Sequence, residues 1–469
     1  TSFDTTASHI KIENVGVDTR LNGTHKLVNK SSTKLMIKTP NYNIHSNYPV
    51  SASITLGKLD TYIAPSKYKK YTENIQQIKN KFSEDSSAQA AQAEPAPASD
   101  STHIRILYGR FNAPEANVFS ADIEGGSIIR QTQVGSTIQG ANTNDAVDEK
   151  MGASVSLSRD GNIAAISSIY ARDYAYQGGM ETGNVKVYEY DGTSWSQKGS
   201  TLYAGEIDMD SFVGISVDLS DDGLKLLVQS AGPNGNEGHS QAASTYYIFE
   251  SGDWVMKGSP SQLFRYGYRG QMSNDGNVIV VTNPEEPVSP YGKAFIFEYD
   301  SANDSWSNRE TIELGYEGGT GLDINSDGSR ICINTRNTVK VFEWNGSSYD
   351  LMGTEFGFIS GSNKPACRMN DTGNIVVISG TNGLRVYRWN DTSWTEDLQT
   401  LGTTGIETAF EINSTGDIIV NDRWDVFQYT NSSWSNVGNI NTGGQYPTVN
   451  NSKSYPFFGG QFPIGFTEI

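Results

Sequence analysis

A turn that ends in glycine recurs along this chain, each time between two stretches of alternating apolar and polar residues. Its copies read SVSLSRDGNIAAIS, SVDLSDDGLKLLVQ, GQMSNDGNVIVVT, GLDINSDGSRICIN, CRMNDTGNIVVIS and FEINSTGDIIVN. The turn glycines are Gly161, Gly223, Gly276, Gly328, Gly373 and Gly416. Alternation on both sides of a tight turn predicts a β-hairpin, and glycine readily adopts the positive φ that such a corner requires.

A second hairpin follows each of these turns. An aromatic residue in one strand is followed, after six residues, by another ring in the next strand. The pairs are Tyr188–Trp195, Phe342–Tyr349, Tyr387–Trp394 and Phe427–Trp434, with Phe249–Trp254 and Phe297–Trp306 as versions of altered loop length. Two hairpins in a repeat of roughly 50 residues make a four-stranded unit, which is typical of one blade of a β-propeller.

The number of blades follows from counting both hairpins. We count seven inner hairpins, the last a degenerate copy at residues 446–459, and six outer hairpins after residue 180. The missing outer hairpin lies early, at residues 116–138, where VGSTI resembles KGSTL at 198–202. The sequence therefore predicts an all-β, seven-bladed propeller whose last blade is completed by both chain ends, with six blades as the alternative. Residues 103–109 and the C-terminal residues are predicted to be extra strands at that closure.

The residues ahead of the repeats differ in character from the blades. Residues 1–82 are predicted to form a small β-rich module with one amphipathic helix at residues 66–82, and residues 83–102 are an Ala/Pro/Ser-rich linker. Residues 103–469 then form the propeller. The apolar stripe of the helix consists of Tyr68, Tyr71, Ile75, Ile78 and Phe82. This stripe either covers the small sheet or docks on a partner.

Charge separates the same two regions. The whole chain carries a net charge of −18, while residues 1–85 hold 12 Lys/Arg against 7 Asp/Glu. An acidic chain argues against nucleic-acid binding, and no apolar run reaches the roughly 20 residues that a membrane span needs. A basic module before an acidic body predicts that residues 1–82 anchor the protein to other structural proteins of a larger assembly.

Both repeated phrases resemble known propeller families. The aromatic hairpin is similar to the outer hairpin of kelch blades, and S-x-D-G is similar to the turn of WD40-like and TolB-type repeats. Together, G-x-S-V-x-L-S-x-D-G and G-x-V-x-V-Y-x-Y-x-G-x-x-W resemble the divergent kelch-like and WD40-like propellers of marine viruses and microbes. The resemblance covers about residues 116–460 and implies a propeller fold and a place on a virus particle.

Catalytic residues are not evident in the sequence. Of the five histidines, only His239 falls within the blades, which argues against a histidine-rich metal site or a Ser-His-Asp triad. Asp160, Asp222, Asp275 and Asp327 occupy hairpin corners, where aspartate beside glycine is ordinary turn chemistry. Cys332 and Cys367 are interpreted as small buried residues rather than as a bridge. No catalytic residue is predicted.

The longest loops point to one face of the disc. We predict a ligand-binding surface on that face, with solvated loops that bind nothing as the alternative. Its residues are Tyr170, Arg172, Tyr174, Tyr176, Glu237, His239, Glu285 and Tyr291. The acidic connections before two inner strands are predicted to hold Ca²⁺, with Asp148, Asp208 and Asp210 as ligands, or else to be solvated loops. No other cofactor is predicted.

Three functions remain open from the sequence. The first is a non-enzymatic structural or attachment protein on a virion surface, such as a minor capsid, decoration or fibre protein, which contacts a glycan or host receptor through the propeller. The second is a secreted or cell-surface adhesin. The third is a polysaccharide-acting propeller enzyme, which requires Asp, Glu, Tyr and Arg side chains to converge at the central tunnel.

Overall fold

The computed structural model divides the chain into two compact units, Thr1–Ala90 and Ala91–Ile469. The residues that it describes are 9–12, 23–31, 34–37, 102–110, 115–140, 151–173, 180–203, 212–231, 243–258, 269–283, 292–315, 318–319, 321–335, 337–357, 366–380, 383–397, 400–402, 410–421, 423–440 and 464–468. The first unit contains a three-stranded antiparallel sheet, with β1 (His9–Ile12), β2 (Gly23–Ser31) and β3 (Lys34–Ile37) in that order. The predicted helix at residues 66–82 lies outside the described residues, and the predicted domain boundaries stay a prediction.

The second unit is built from strands alone in its described part. Four come before the first turn glycine: β4 (Thr102–Arg110), β5 (Glu115–Glu124), β6 (Ser127–Gln133) and β7 (Ile138–Gln139). Blade 1 has β8 (Met151–Leu157), β9 (Ile163–Ser168), the small hairpin β10 (Arg172–Asp173) and β11 (Met180–Glu181), β12 (Asn184–Tyr190) and β13 (Trp195–Gln197). No helix in the described residues has the length and apolar character needed to cross a bilayer.

Five further blades repeat a four-stranded meander. Blade 2 has β14 (Phe212–Leu219), β15 (Lys225–Ala231), β16 (Ala243–Glu250) and β17 (Asp253–Met256), and blade 3 has β18 (Arg269–Met272), β19 (Val278–Asn283), β20 (Lys293–Asp300) and β21 (Ser305–Glu313). Blade 4 has β22 (Leu322–Ile324), β23 (Arg330–Asn334), β24 (Val339–Trp344) and β25 (Tyr349–Leu351). Blade 5 has β26 (Cys367–Met369), β27 (Ile375–Gly380), β28 (Gly383–Trp389) and β29 (Trp394–Glu396). Blade 6 has β30 (Phe410–Ile412), β31 (Ile418–Asn421), β32 (Asp425–Thr430) and β33 (Ser433–Asn439).

Blade 7 joins the two ends of the second unit. Its inner strand is β34 (Ile464–Glu468), which pairs antiparallel with β4, and β5 and β6 complete the sheet. Strand β34 contacts the inner strands of both blade 6 and blade 1, so the ring closes. The prediction of seven blades closed by both ends is confirmed, and the six-bladed alternative is wrong.

The predicted composition of the last blade needs one correction. The hairpin at residues 116–138 is the outer hairpin, as predicted, and it forms β5 and β6. The inner pair is β34 with β4 rather than a hairpin at residues 446–459, a segment outside the described residues. Residues 103–109 are therefore the second strand of the blade and not an extra strand. Two strands from opposite ends of the unit need no turn between them, so the turn motif could not mark this pair.

Tryptophan–glycine contacts join neighbouring blades. The indole Nε1 of Trp254 in blade 2 donates to the carbonyl of Lys198 in blade 1 at 2.9 Å. Gly199 follows with φ +74°, and a Cβ placed on it would lie 2.8 Å from Trp254 Cδ1. Trp195 and Trp394 repeat this donation to the preceding blade at 2.8 Å each. The glycine four residues after each ring therefore admits the tryptophan of the next blade.

Candidate active site

The inner strands of six blades carry a ring of mostly polar, hydrogen-bonding side chains at one sequence position. Each of these residues lies five positions before its turn glycine. In blade order they are Ser156, Asp218, Gln271, Asp323, Arg368 and Glu411. Because the first strand of every blade faces the propeller axis, these residues form one level of the wall of the central channel. We call this set the channel ring.

Hydrogen bonds fix the direction of the channel-ring side chains. Asp218 Oδ2 accepts from the backbone N–H of Met272 at 2.8 Å, and Asp323 Oδ2 accepts from that of Met369 at 2.7 Å. In the same way, Ser156 Oγ accepts from the N–H of Leu219 at 3.0 Å. Each side chain thus reaches the inner strand of the following blade, whose N–H groups have no further strand to pair with.

An ion pair joins blades 5 and 6 at this level. Arg368 Nε donates to Glu411 Oε1 at 2.8 Å, and Arg368 Nη1 donates to the carbonyls of Cys367 at 2.9 Å and Leu322 at 3.3 Å. The Arg368 side chain is 18% exposed and the Glu411 side chain 25% exposed. Within the described residues, Nη2 of Arg368 takes no partner. One edge of the guanidinium is therefore open for a further contact.

The pKa values of the carboxyl groups in the channel ring are raised above those of the same groups in water. Burial raises the pKa of Asp218 to about 8, and the negative charges of Asp323 and Glu411 add to the rise. Burial likewise raises the pKa of Asp323 to about 7, although the charge of Arg368 opposes it. Burial also raises the pKa of Glu411 against the opposing effect of Arg368. Carboxyl groups that titrate near neutrality are suited to proton transfer.

An ion-pair bridge crosses the channel at the face with the short turns. Arg159 in blade 1 donates through Nε to Asp221 of blade 2 at 2.5 Å and through Nη2 to Asp371 of blade 5 at 2.6 Å. Blades 1 and 5 are not neighbours, so this contact spans the opening. The backbone N–H of Arg159 also donates to the carbonyl of Asp221 in the next blade. The corresponding N–H groups of each following blade donate in the same way, from Asp221 to Asn274, Asn274 to Ser326, Ser326 to Asp371 and Asp371 to Ser414. Access to the channel ring is therefore expected from the opposite face.

The turn aspartates make hydrogen bonds within the turns, as their position beside the turn glycines predicts. Asp160 Oδ1 accepts from Ser158 Oγ at 2.6 Å and from the backbone N–H of Asn162 at 3.0 Å. Asp275 makes the matching contacts with Ser273 and Asn277. These bonds close the corner of each inner hairpin. Cys332 and Cys367 are both free and buried, with Cys367 Sγ donating to the carbonyl of Cys332 at 3.4 Å.

Most of the predicted binding residues fall outside the described part of the chain. These are Tyr174, Tyr176, Glu237, His239, Glu285 and Tyr291, the predicted calcium ligands Asp148, Asp208 and Asp210, and the helix residues Tyr68, Tyr71, Ile75, Ile78 and Phe82. Tyr170 lies in the turn after β9. The backbone of Arg172 lies opposite that of Glu181 in the antiparallel hairpin of β10 and β11. Among described residues, no group of three or more His, Cys, Asp or Glu is arranged to hold a metal ion.

Asp218 gives a test of this electrostatic description. Its folded-state pKa lies above its unfolded value, so the folded protein binds an extra proton between about pH 4 and pH 8, and stability falls as pH rises through that window. We expect Asp218→Asn to unfold at higher urea concentration than wild type at pH 9, by about 1–3 kcal/mol, and to match it at pH 4. Urea denaturation at both pH values measures this.

A turn aspartate supplies the matched control with the opposite sign. The pKa of Asp327 is lowered by its hydrogen bonds with Ser329, which outweigh burial, so its charged form stabilises the fold above the unfolded pKa. Asp327→Asn should therefore lose stability at pH 9, and the loss should shrink as the pH falls through the unfolded pKa. Equal destabilisation by both variants at pH 9 would contradict a buried, proton-retaining Asp218.

Solved structures with a similar fold cover 70–72% of the chain. One is a putative 6-phosphogluconolactonase from Bacteroides uniformis, with 12% identity, a TM-score of 0.51, and coverage of 71% of this chain and 95% of that one. A periplasmic gluconolactonase from Pseudomonas aeruginosa has 14% identity, a TM-score of 0.46, and coverage of 72% and 97%. The Cps50 (Swd1) β-propeller domain from Myceliophteria thermophila has 10% identity, a TM-score of 0.41, and coverage of 70% and 96%. No protein-family model and no curated protein matches the sequence.

These comparisons correct the predicted function. The prediction of a non-enzymatic structural or attachment protein of a virion is wrong: the similar structure with a TM-score above 0.5 is a putative 6-phosphogluconolactonase. Its main argument, the lack of convergent polar residues in the sequence, does not take account of the channel ring, where Arg368 pairs with Glu411 and the pKa values of Asp218 and Asp323 are raised. The marine viral origin also has no support. At identities of 10–14% the likeness shows the fold alone. The chain is a seven-bladed β-propeller.

Proposed function

We propose that this propeller is a hydrolase that opens the ring of a lactone, the cyclic ester of a sugar acid, in its central channel. The observation that carries the proposal is the channel ring, where two carboxyls with pKa values of about 7 and 8 occupy the same level as the guanidinium of Arg368 and are influenced by its charge. Such a convergence at the central tunnel is what an enzyme of this fold requires. The putative 6-phosphogluconolactonase from Bacteroides uniformis suggests the substrate class to test first.

The roles follow from the charge of each group near neutral pH. Asp323, with the lower pKa, is ionised in a larger fraction of molecules and serves as general base, taking a proton from the water that attacks the ester carbonyl. Asp218, with the higher pKa, remains protonated and donates its proton to the ring oxygen as the carbon–oxygen bond breaks. The open edge of Arg368 stabilises the negative charge that develops on the carbonyl oxygen.

This division of roles predicts the pH dependence of the reaction. Activity should rise as Asp323 ionises through about pH 7 and fall as Asp218 ionises through about pH 8, so kcat/KM should peak between these values. Asp323→Asn, which keeps an oxygen to accept from Met369, should lower kcat by roughly 100-fold and remove the rise. Stopped-flow titration of proton release from glucono-δ-lactone, corrected for its spontaneous hydrolysis, measures both.

The matched control is Asp350→Asn on the outer strand β25. Asp350 is exposed and contacts Asn345 and Ser348, far from the axis. It should leave kcat and the pH profile unchanged. If neither glucono-δ-lactone nor its 6-phosphate is hydrolysed above background by the wild-type protein, lactone hydrolysis is excluded. If Asp323→Asn retains full activity, the channel ring is not the catalytic site.

A further inference from the structure

Two cysteines face each other across the interface between blades 4 and 5. Cys332 lies on β23, the second strand of blade 4, and Cys367 begins β26, the inner strand of blade 5. Both side chains are fully buried and belong to one apolar cluster between these blades. Ile331 and Ile333, on either side of Cys332, pack instead against blade 3. The alternation of β23 therefore directs the Cys332 thiol toward blade 5.

The two cysteines are in contact in their reduced form. Cys367 Sγ donates to the carbonyl oxygen of Cys332 at 3.4 Å. Burial raises the pKa of the Cys332 thiol, and its hydrogen bond with the Cys367 side chain adds to the rise. Side chains that already touch need only a local adjustment to bring their sulfurs to the bond length of a disulfide, about 2 Å. The chain has only these two cysteines, so a disulfide within one molecule can form in only one way.

The cysteine pair lies next to the channel ring. Cys332 stands opposite Asp323 in the pairing of β22 with β23, so both side chains point to the same face of the sheet. Cys367 directly precedes Arg368, whose Nη1 donates to the carbonyl of Cys367 at 2.9 Å. A bond between the sulfurs would therefore act on the backbone that positions the Asp323 carboxyl and the Arg368 guanidinium.

We propose that Cys332 and Cys367 form a redox switch, in which a peroxide converts the two thiols into a disulfide that cross-links blades 4 and 5. With hydrogen peroxide, one thiolate attacks a peroxide oxygen, which gives a sulfenic acid and a first molecule of water. The second thiol attacks the sulfenic sulfur and displaces a second water. Two thiols and one peroxide thus give one disulfide and two waters, with two electrons passing from sulfur to oxygen. A small dithiol reverses the bond by thiol–disulfide exchange.

Burial makes this switch slow. The thiolate is the reactive form of cysteine, and the raised pKa keeps the Cys332 thiol protonated near neutral pH. Hydrogen peroxide is small and uncharged, so it can reach the interface when the two blades separate locally. Oxidation should therefore be faster at about pH 9 than at about pH 7, and the switch should respond to lasting rather than brief exposure to oxidant.

Counting the thiols of the full chain tests the proposal. Reduced wild-type protein is incubated with hydrogen peroxide at about pH 9, the peroxide is removed, and free thiols are titrated in urea with a thiol-specific dye. The count should fall from two per chain to none and return to two after dithiothreitol. A digest without reductant should contain a linked peptide that holds both Cys332 and Cys367, and the protein should remain monomeric on a non-reducing gel.

Thermal unfolding provides a second measurement with a matched control. The oxidised wild type should melt at a temperature roughly 5 °C or more above that of the reduced form, because the cross-link restricts the unfolded chain. Cys332→Ala undergoes the same methionine oxidation but cannot form the bond, so peroxide should not raise its melting temperature. Two free thiols after prolonged treatment, a bond between molecules instead of within one, or an equal rise in Cys332→Ala overturns the inference.

The effect of the bond on catalysis rests on the proposed function. If the lactones are hydrolysed, oxidation should lower the kcat of wild type on the order of 10-fold or more and dithiothreitol should restore it, whereas peroxide should leave Cys332→Ala at its own untreated kcat. If no lactone is hydrolysed but the linked peptide forms, the reaction is wrong and the disulfide stands. If the linked peptide forms and kcat is unchanged, the reaction stands and the influence of the disulfide on the channel ring is wrong.

Discussion

Deleting residues 464–469 is expected to leave no stably folded propeller. The deletion removes β34, which pairs with β4 from Ile464–Tyr108 to Glu468–Ile104 and contacts the inner strands of blades 1 and 6. Without it, β4 presents an unpaired edge beside the axis, and the ring opens. The loss should approach the whole 5–15 kcal/mol that typically separates a domain from its unfolded state. Thermal unfolding and light scattering measure the loss of a cooperative transition and the onset of aggregation.

A rearranged chain provides the matched control. Because β34 and β4 are antiparallel and Glu468 stands opposite Ile104, residues 462–469 can be moved to precede Thr102 through a short Gly-Ser loop. This chain lacks the C-terminal strand but restores the same pairing as a hairpin. It should recover the cooperative transition of the wild type. If the deleted chain melts like the wild type, closure by β34 does not hold the ring together.

Arg368→Met alone is expected to destabilise the protein by about 3 kcal/mol, whereas Arg368→Met with Glu411→Leu should recover most of that loss. The single change leaves the partly buried carboxylate of Glu411 without its partner and frees the carbonyls of Leu322 and Cys367. The double change replaces the pair by apolar side chains of similar volume, which is often nearly neutral. Urea denaturation of the four proteins in the cycle measures the coupling.

The pH dependence of the single variant separates charge from packing. Arg368 opposes the rise in the pKa of both Glu411 and Asp323, so its removal should raise both pKa values further. A raised carboxyl pKa lowers stability as pH increases. The loss should therefore be larger at pH 8 than at pH 5. A loss that is equal at both pH values, and unrelieved in the double variant, would indicate a packing defect instead.

The fold was accessible from sequence because its repeat is local. Each turn glycine and each aromatic pair lies within one blade. A few residues such as Gly223 and Trp254 are therefore enough to predict a whole hairpin. The exception is blade 7, whose inner strands come from distant parts of the chain and share no turn. Pairing between β34 and β4 depends on ring closure, which no short stretch of sequence encodes.

The candidate site was less accessible for a related reason. Asp218, Asp323 and Glu411 each occupy an ordinary polar position in an alternating strand, and their raised pKa values arise only when the blades surround them. Alignment of the inner hairpins on their turn glycines would have placed these residues at one level. The predicted anchoring role of residues 1–82 stays a prediction.

Because the ion pair between Arg159 and Asp371 crosses the channel at the face with the short turns, we expect molecules to enter and leave through the opposite face. A molecule that reaches Asp323 would leave through the face by which it entered. Substrate and product would therefore compete for the same part of the channel. For the proposed lactone hydrolysis, release of the ring-opened acid through that face is expected to limit turnover, and added acid should inhibit the reaction.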